Sequence, residues 1–431
     1  MTDPVGFSGL AALRAYWPRR FTLVGLCFCS TFICYIDRVN ISVAILPMAQ
    51  EYGWTQTTQG IVLSSFFYGY LATQIFGGWV ADRYGGKMVL GWGVLLWSFF
   101  TLVTPPAAAI SLTVLFLARV GMGLGEGVAF PAIYNLFARW VPGQERARSA
   151  ALNVSGVSLG TVAALLLTPT IVVVWGWPMV FYLFGGLGFV WYLFWHSRVT
   201  DTPETHPTIA STEVAYIREH VPPIPSNATI PWRHLLSKTA VWAIVINHFC
   251  SNWGFYVILT WLPTYFTQAL GVDLRQVGLY AILPWLVMFV MANVAGWIAD
   301  SLLQRGLSVT FVRKLMQSIG FFGPALFLFL IGGVTSALQA VSYMCCVLGL
   351  GAFALSGFAV NHLDIGPRYA GILLGLSNTA GTIPGIIGVT LTGYILDATG
   401  SWSLVFLIAS GLYVFGAVVW LLFATGEQVF E

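Results

Sequence analysis

Charge is what this sequence has least of. Lys, Arg, Asp and Glu make up 8% of its 431 residues, against about 25% in a soluble domain. With 58% of the residues apolar, a soluble globule of this size is excluded, because it could not hide so many apolar side chains. The net charge of +3 is too small to imply a nucleic-acid partner. Cysteine is also scarce, and Cys27, Cys29, Cys34, Cys250, Cys345 and Cys346 all fall inside apolar stretches. They show neither zinc-ligand spacing nor a disulfide framework and are assigned to packing or lipid contact. No P-loop, metal cluster or nucleophile–base set occurs, which argues against an enzyme, a cofactor or a bound metal. Arg14, Arg19 and Arg20 precede an apolar run without a small-residue cleavage pattern, so that run is not a signal peptide.

What the chain has in abundance is apolar runs long enough to span a bilayer, which takes about 20 residues each. They fall at 21–47, 58–81, 88–105, 110–137, 149–173, 177–196, 239–267, 276–300, 313–334, 337–362, 368–396 and 401–424. The expected fold is an all-α membrane protein with twelve transmembrane helices in two six-helix halves. Pro105-Pro106, Trp175-Gly176-Trp177-Pro178 and Pro367 punctuate the runs. Trp17, Trp54, Trp140, Trp232 and Trp402 sit near run ends, where an aromatic belt meets lipid headgroups. One long polar, proline-rich connector, 197–238, separates an N-terminal half (1–196) from a C-terminal half (239–431).

Basic residues set the expected orientation. Sixteen of the nineteen Lys and Arg fall on one side if the N-terminus is cytoplasmic; Arg38 and Arg119 lie within spans and Arg275 faces out. Both termini and the connector are therefore expected in the cytoplasm, where the Asn227-Ala-Thr229 triplet would stay unglycosylated. With no N-terminal extension before the first run, a plasma or bacterial inner membrane is expected rather than a plastid one.

The halves echo each other. GGWVADRYGGK at 77–87 and AGWIADSLLQRG at 295–306 lie 218 residues apart, and LNVSGVSLGT (152–161) has a weaker counterpart in LLGLSNTAGT (373–382). Parallel six-helix repeats of this kind rock about a central cavity. In the first motif, glycines allow close helix approach. Asp82 is placed to cap the next helix or to pair with a basic residue across the half interface, and Arg83 and Lys87 to engage helix ends or headgroups. With Arg139 and Arg146 of the following loop they form a candidate gate.

The few charges inside spans carry the functional argument, because ionisable groups are costly in hydrocarbon and so face protein or water. Arg119 and Glu126 are seven residues apart, two helical turns or about 10 Å, and project from one face. Arg119 is expected to neutralise an anion or to hold a carboxylate. Glu126 is expected to accept a proton, which removes a negative charge that would repel an anion and so couples the two. Asp37 and Arg38 are adjacent and cannot serve one point equally. Arg38 is the first choice for the anion, since a guanidinium offers a planar fork to phosphate or carboxylate. Asp37 is a second titrating group or orients an arginine, and Asn40 is a further lining candidate. His248, Asn252 and Tyr256 recur every four residues on one face; Asn252 and Tyr256 are cavity candidates and His248 a structural hydrogen bonder. Tyr68 and Tyr70 cannot face the same way. Ser377-Asn378-Thr379 is expected to interrupt its helix in a Gly-rich stretch and permit bending. Asn361, His362 and Asp364 are assigned to gating or folding.

Seven stretches carry a family resemblance: CYIDRVNISVAILPM (34–48), EYGW (51–54), SSFFYGYLATQIFGGWVADRYGGK (64–87), ARVGMGLGEGVAFPA (118–132), HFCSNWGFYVILTWLPTYF (248–266), NHLDIGPRYAG (361–371) and LLGLSNTAGTIPG (373–385). In these the chain resembles the major facilitator superfamily, its anion:cation symporter branch, and most closely the plant phosphate transporter 4 and type I phosphate transporter group. The resemblance implies a secondary active symporter for a small anion, inorganic phosphate first, working as a monomer among membrane lipids with a proton or Na⁺ as coupling ion. It also implies substrate roles for Arg38, Tyr70 and Asn378, with Ser377 beside Asn378, and roles in transport and proton coupling for Arg119 and Glu126. Vesicular glutamate transporters have a histidine where this chain has Leu63 and an arginine where it has Ser251, which counts against glutamate. Sugar-acid symporters of the branch share the Asp-Arg pair at 37 and 38, so an organic anion is the alternative cargo. An uncoupled uniporter or channel is the alternative class.

Overall fold

The computed structural model describes residues 17–221 and 231–430; Arg14 and the Asn227-Ala-Thr229 triplet lie outside the described residues. The described chain is helical, with no strand. The first group of helices is α1 (Arg19–Tyr52), α2 (Gln56–Tyr84), α3 (Gly86–Ile110), α4 (Leu112–Gly127), α5 (Ala129–Trp140), α6 (Gly143–Trp175) and α7 (Trp177–Arg198). The connector holds α8 (Ser211–His220) and α9 (Trp232–Leu236). The second group is α10 (Thr239–Thr264), α11 (Leu274–Gln304), α12 (Val309–Ile331), α13 (Ala337–Gly351), α14 (Phe358–Ile365), α15 (Ala370–Thr399) and α16 (Trp402–Phe423).

Among the described residues, ten helical segments are long and apolar enough to cross a membrane, with α4–α5 and α13–α14 each forming one. α2 and α10 are as long, at 29 and 26 residues, but more polar. The reason is where they sit. α2 packs along α15, while α10 packs on α15 and α1, and 18 of the 26 residues of α10 are buried. Their Gln, Asn and His side chains face protein rather than lipid.

Two apolar runs that look continuous in the sequence are broken. α4 ends at Gly127 and α5 begins at Ala129, because Pro131 has no N–H for the Gly127 carbonyl and its ring clashes with that turn. α13 and α14 are separated by a 3₁₀ turn at Ala352–Ser356; there the Gln317 side chain enters from α12 and its Oε1 accepts the Phe358 N–H at 3.1 Å. Two expected breaks are absent. α3 runs through Pro105-Pro106 to Ile110, a tolerance common in membrane helices. α15 is continuous through Ser377-Asn378-Thr379, whose Ser and Thr hydroxyl oxygens lie 3.1 and 2.8 Å from the Leu374 and Gly375 carbonyls of their own helix.

Glycine lets α4 sit between two helices at backbone contact. A Cβ on Gly123 would overlap the Phe66 carbonyl and approach the Tyr70 N at 2.7 Å on α2; one on Gly125 would meet the Trp97 N at 2.7 Å on α3. The spacing Gly121, Gly123, Gly125, Gly127 alternates between the two neighbours, so neither face of α4 tolerates a side chain there. This fixes the height of Glu126 against α1, α2 and α3.

Trp140 is not an interface residue. It is buried, its Nε1 donates to the Thr200 carbonyl at 3.0 Å, and its ring meets His206 edge-on, so it anchors the connector on the helical bundle. Arg20 completes that anchor, bonding Glu145 of α6 at 2.8 Å and Glu213 of α8 at 3.0 Å. Both described chain ends lie on this face, the C-terminal one through Val429 and Phe430 N–H groups donated to the Ile365 carbonyl.

Candidate functional site

The two groups of helices meet tightly on the face away from the connector. Asp397 of α15 caps the start of α2 across the interface, accepting from the Gln56 and Thr57 N–H groups at 2.9 and 2.7 Å. Gln56 Nε2 donates to Gln268 Oε1 at 2.7 Å. Deeper, Thr390 bonds Ser64 at 2.8 Å and Thr382 bonds Gln74 at 3.0 Å. Towards the connector face the groups part around a cavity of ≈ 610 Å³ bounded by α6 on one side and α10, α11, α13 and α14 on the other. Tyr35, Ser158, His248, Asn252, Asn293 and His362 are among its walls.

Behind Tyr35 lies a buried ion pair. Arg38 Nη2 and Nε donate to Glu126 Oε2 at 2.7 and 2.9 Å, and the two side chains are 4% and 0% exposed. The guanidinium is wrapped in aromatics, 4.6 Å from the Tyr35 ring centre and 4.8 Å from those of Phe66 and Tyr70, and it donates to Tyr35 Oη at 3.3 Å. Cation–π contact is worth most in such desolvated places. Cys34 Sγ donates to the same Glu126 oxygen at 3.1 Å. Its assignment to packing or lipid contact is therefore corrected: it belongs to the ion pair.

Arg119 does not take Glu126, although both are fully buried on one helix. Its Nη1 is 2.8 Å from Met122 Sδ, and its Nε has no partner. The closer opposite charge on Glu126 comes from Arg38 of α1. On α1 and α4 several other buried polar atoms lack partners among the described residues: both Asp37 oxygens, both Asn40 amide atoms and Glu126 Oε1. Buried polar atoms are nearly always satisfied, so this cluster marks α1 and α4 as more than packing elements.

The remaining expected residues divide by position. Tyr70 points inward onto Arg38, whereas Tyr68 is 45% exposed and packs on Phe116. Tyr256 is buried with its ring 4.6 Å from that of Phe67, at the seam of the two groups. Asn252 lines the cavity and donates to the Gly381 carbonyl at 2.8 Å. Ser377 is buried between His248 and His362, and Asn378 is half-buried beside it.

The candidate gate is arranged differently from expectation. Asp82 neither caps α3 nor pairs across the interface; it accepts from Asn135 Nδ2 at 2.6 Å within its own half. Asp201 of the connector takes the cap, accepting the Lys87 N–H at 2.8 Å, because the buried Trp140 and Arg20 contacts draw the connector against α3. Arg83 is exposed, with its guanidinium 5.7 Å from the Trp79 ring and 5.8 Å from the Tyr84 ring. Arg146 donates to the Ala138 and Val141 carbonyls at 3.4 and 3.3 Å, tying off the end of α5. Arg139 is half-buried and makes no ion pair among the described residues. Asp364 bonds Arg313 at 2.7 Å.

Sequence reasoning missed Tyr35, Phe66, Cys34 and Asp397. Tyr35 and Cys34 were findable as the i−3 and i−4 neighbours of Arg38 on one helical face. Asp397, three residues before Gly400, carried no local signal, since its partner is the start of a helix 340 positions away.

A family model described as the Major Facilitator Superfamily matches residues 27–389. The chain is 52% identical over 415 residues to the "Ascorbate transporter, chloroplastic" of Arabidopsis thaliana, covering 96% of this chain and 76% of that protein. It is 49% identical over 432 residues to the "Sodium-dependent phosphate transport protein 1, chloroplastic" of the same plant, covering 100% and 84%. Among solved structures it is similar to a D-xylose-proton symporter, with TM-score 0.76, 16% identity, and 95% and 99% of the two chains covered. A bacterial homolog of the human lysosomal transporter Spinster, inward-facing and unoccupied, gives 0.74 at 16% identity, with 94% and 97% covered. At such identity these two speak to the fold alone.

Proposed function

The chain belongs to the major facilitator superfamily, in its anion-transporter branch, and on that premise we propose that it imports a small anion, inorganic phosphate before others, by alternating access coupled to a proton or sodium gradient. Membership in a family of carriers makes it a transporter and not an enzyme. We take α2 and α10 to cross the membrane with the ten more apolar spans. That gives twelve helices in halves 1–196 and 239–431 joined by the connector 197–238, the connector and both termini being cytoplasmic and the working unit a monomer. For the host we keep a plasma or bacterial inner membrane. The chloroplastic names of the two relatives make the chloroplast the location to test against it.

The observation that carries the reading is the Arg38–Glu126 pair, sealed from water behind Tyr35 at the inner end of the cavity. A buried ion pair is weak evidence for stability, because desolvation of both charges offsets most of their attraction. As a switch it is well placed. While Glu126 is charged it occupies the fork of Arg38; a proton or a sodium ion on Glu126 releases the guanidinium to an anion. Asp37 is the second coupling carboxylate, and Arg119 lies beside both as a second anion contact. Tyr70, Tyr256, Asn252 and Asn378 complete the substrate site across the seam, with Ser377 behind them. Asp82, Arg83, Lys87, Arg139 and Arg146 gate the connector face.

Uptake of radiolabelled phosphate into proteoliposomes, under imposed pH and sodium gradients in turn, tests this. Accumulation above equilibrium under one gradient is the expected result; none under either defeats phosphate symport. The ascorbate relative at 52% identity and the adjacent Asp37-Arg38 favour an organic anion as the second reading, and competition by sugar acids but not phosphate would select it.

For the cavity to open on the other side, the closed face must part at Asp397. A helix N-cap is worth about 1 kcal/mol, so Asp397→Ala should raise the open population about fivefold. Maleimide labelling of Thr390→Cys from that side should speed up accordingly in the Asp397→Ala background. An unchanged labelling rate would mean that Asp397 does not hold the gate.

A further inference from the structure

A second group of titratable side chains borders the cavity, away from Arg38. His248 of α10 and His362 of α14 both line it, and the buried Ser377 hydroxyl lies between them, 3.1 Å from His248 Nδ1 and 2.8 Å from His362 Nε2. Counting donors fixes the direction of the chain of bonds. His362 Nδ1 is 3.0 Å from the Ala359 carbonyl, which only accepts, so Nδ1 carries the proton and Nε2 of the neutral ring has a lone pair. The Ser377 hydroxyl donates to that lone pair in preference to the Leu374 carbonyl, which is farther at 3.1 Å. Its oxygen is then free to accept, and His248 Nδ1 donates to it. The nitrogen left over, His248 Nε2, is an acceptor; it has no partner among the described residues and is not buried, so it opens on the cavity.

Asn252 repeats this arrangement one turn along α10. One of its two Nδ2 hydrogens is committed to the Gly381 carbonyl, which leaves Oδ1, another acceptor, and the second amide hydrogen for the cavity. At His248 Nε2 and Asn252 Oδ1 the C-terminal wall thus offers lone pairs. The cationic donor, Arg38, lies on the N-terminal side. An anion without hydrogen would bring lone pairs against lone pairs at this wall, whereas an oxyanion that keeps an O–H can donate to it. We propose that His248 Nε2 and Asn252 Oδ1 form the acceptor half of the substrate site and select oxyanions bearing their own O–H: phosphate that keeps a proton, phosphonates and hydroxy acids. His362 and Ser377 act as positioning residues that hold the His248 tautomer. This rests on the transport reading above and narrows its substrate class.

Among the described residues no unpaired full charge faces the histidine pair. On α14 Asp364 is held by Arg313, α15 presents neutral Ser377, and α16 presents Tyr413. Across the cavity α6 and α11 offer Ser158 and Asn293, and Tyr35 of α1 screens the Arg38–Glu126 pair.

The test compares two monoanions of nearly the same shape as competitors of phosphate uptake at mildly acidic pH: methylphosphonate, which has an O–H, and methanesulfonate, which has none. Wild type should prefer methylphosphonate by about tenfold or more, the worth of one hydrogen bond to a charged partner. In His248→Ala the preference should fall to within about twofold, with phosphate KM raised and maximal rate little changed. Ser377→Ala frees the tautomer without removing the ring and should lose part of the preference; it serves as the second variant should His248→Ala not fold. Equal competition by the two anions in wild type, or an undiminished preference in both variants, overturns the proposal. If wild type takes up no phosphate at all, the transport reading fails. Thermal-shift binding of the same two anions to the purified protein then still decides whether His248 discriminates between them.

Discussion

Arg38→Ala is expected to abolish saturable anion uptake and, at the same time, to destabilise the protein. The two effects have different causes and can be separated. Uptake fails because the alanine removes the planar fork that would hold the anion. Stability falls because Glu126, fully buried, loses both bonds from the guanidinium; breaking one side of a buried pair costs about 3–5 kcal/mol. The aromatic cage of Tyr35, Phe66 and Tyr70 also loses the cation it encloses. Adding Glu126→Gln to Arg38→Ala removes the unpaired charge, so the double variant should regain much of the lost melting temperature while staying inactive. Arg38→Lys keeps a charge but not the fork, and should fold while transporting poorly. Melting of the purified variants and uptake in proteoliposomes are the two measurements. Wild-type uptake kinetics in Arg38→Ala would remove Arg38 from the site. Lost stability that the double variant fails to recover would mean that the ion pair is not what holds α1 to α4.

Helices were far more legible in this sequence than the contacts between them. Long apolar runs separated by polar gaps locate spans because the bilayer demands about 20 apolar residues and satisfied backbone bonds. The motif echo at 77–87 and 295–306 is the kind of signal that a duplicated supersecondary unit leaves in a sequence. Within one helix, spacing is a partial guide: Arg119 and Glu126 are both buried, and only one of Tyr68 and Tyr70 faces inward. Between helices, spacing says nothing. Glu126 is taken by Arg38, 88 positions earlier, because backbone packing through Gly123 and Gly125 brings α4 close enough. Asp82 loses the cap it was suited for because Asp201, 114 positions after Lys87, gets there first. Pro131 and Gln317 break helices that hydropathy alone runs together, one by a missing donor four residues on, the other by a side chain from a different helix. His248 illustrates the same limit. Its period-four spacing with Asn252 and Tyr256 places it on the cavity face, but its role depends on Ser377 and His362, which only the fold brings to it.

Glu126→Gln should separate coupling from movement. The substitution keeps size and one acceptor oxygen but cannot ionise or take up a coupling proton. The Gln carbonyl can still accept from Arg38, so folding should be spared where Arg38→Ala is not. For an electroneutral cycle moving one proton per anion, each unit of pH gradient is worth about 1.4 kcal/mol and supports about tenfold accumulation. In Glu126→Gln that ratio should collapse to about one, because Arg38 is available to the anion whether or not a proton has bound. Counterflow needs only the loaded carrier to reorient, so exchange of internal for external anion should persist at a rate close to wild type. The pair of measurements discriminates among three roles. Loss of accumulation with counterflow kept identifies Glu126 as the coupling group. Loss of both means that Glu126 holds the substrate or the helices. Retention of both moves the coupling to Asp37, the other fully buried carboxylate of the site, whose two oxygens have no partner among the described residues. Asp37→Asn should then show the separation that Glu126→Gln does not. If sodium rather than a proton is the driving ion, the same collapse should appear under a sodium gradient. A carboxylate is the natural ligand for that hard cation, and the neutral amide in its place brings no charge to hold it.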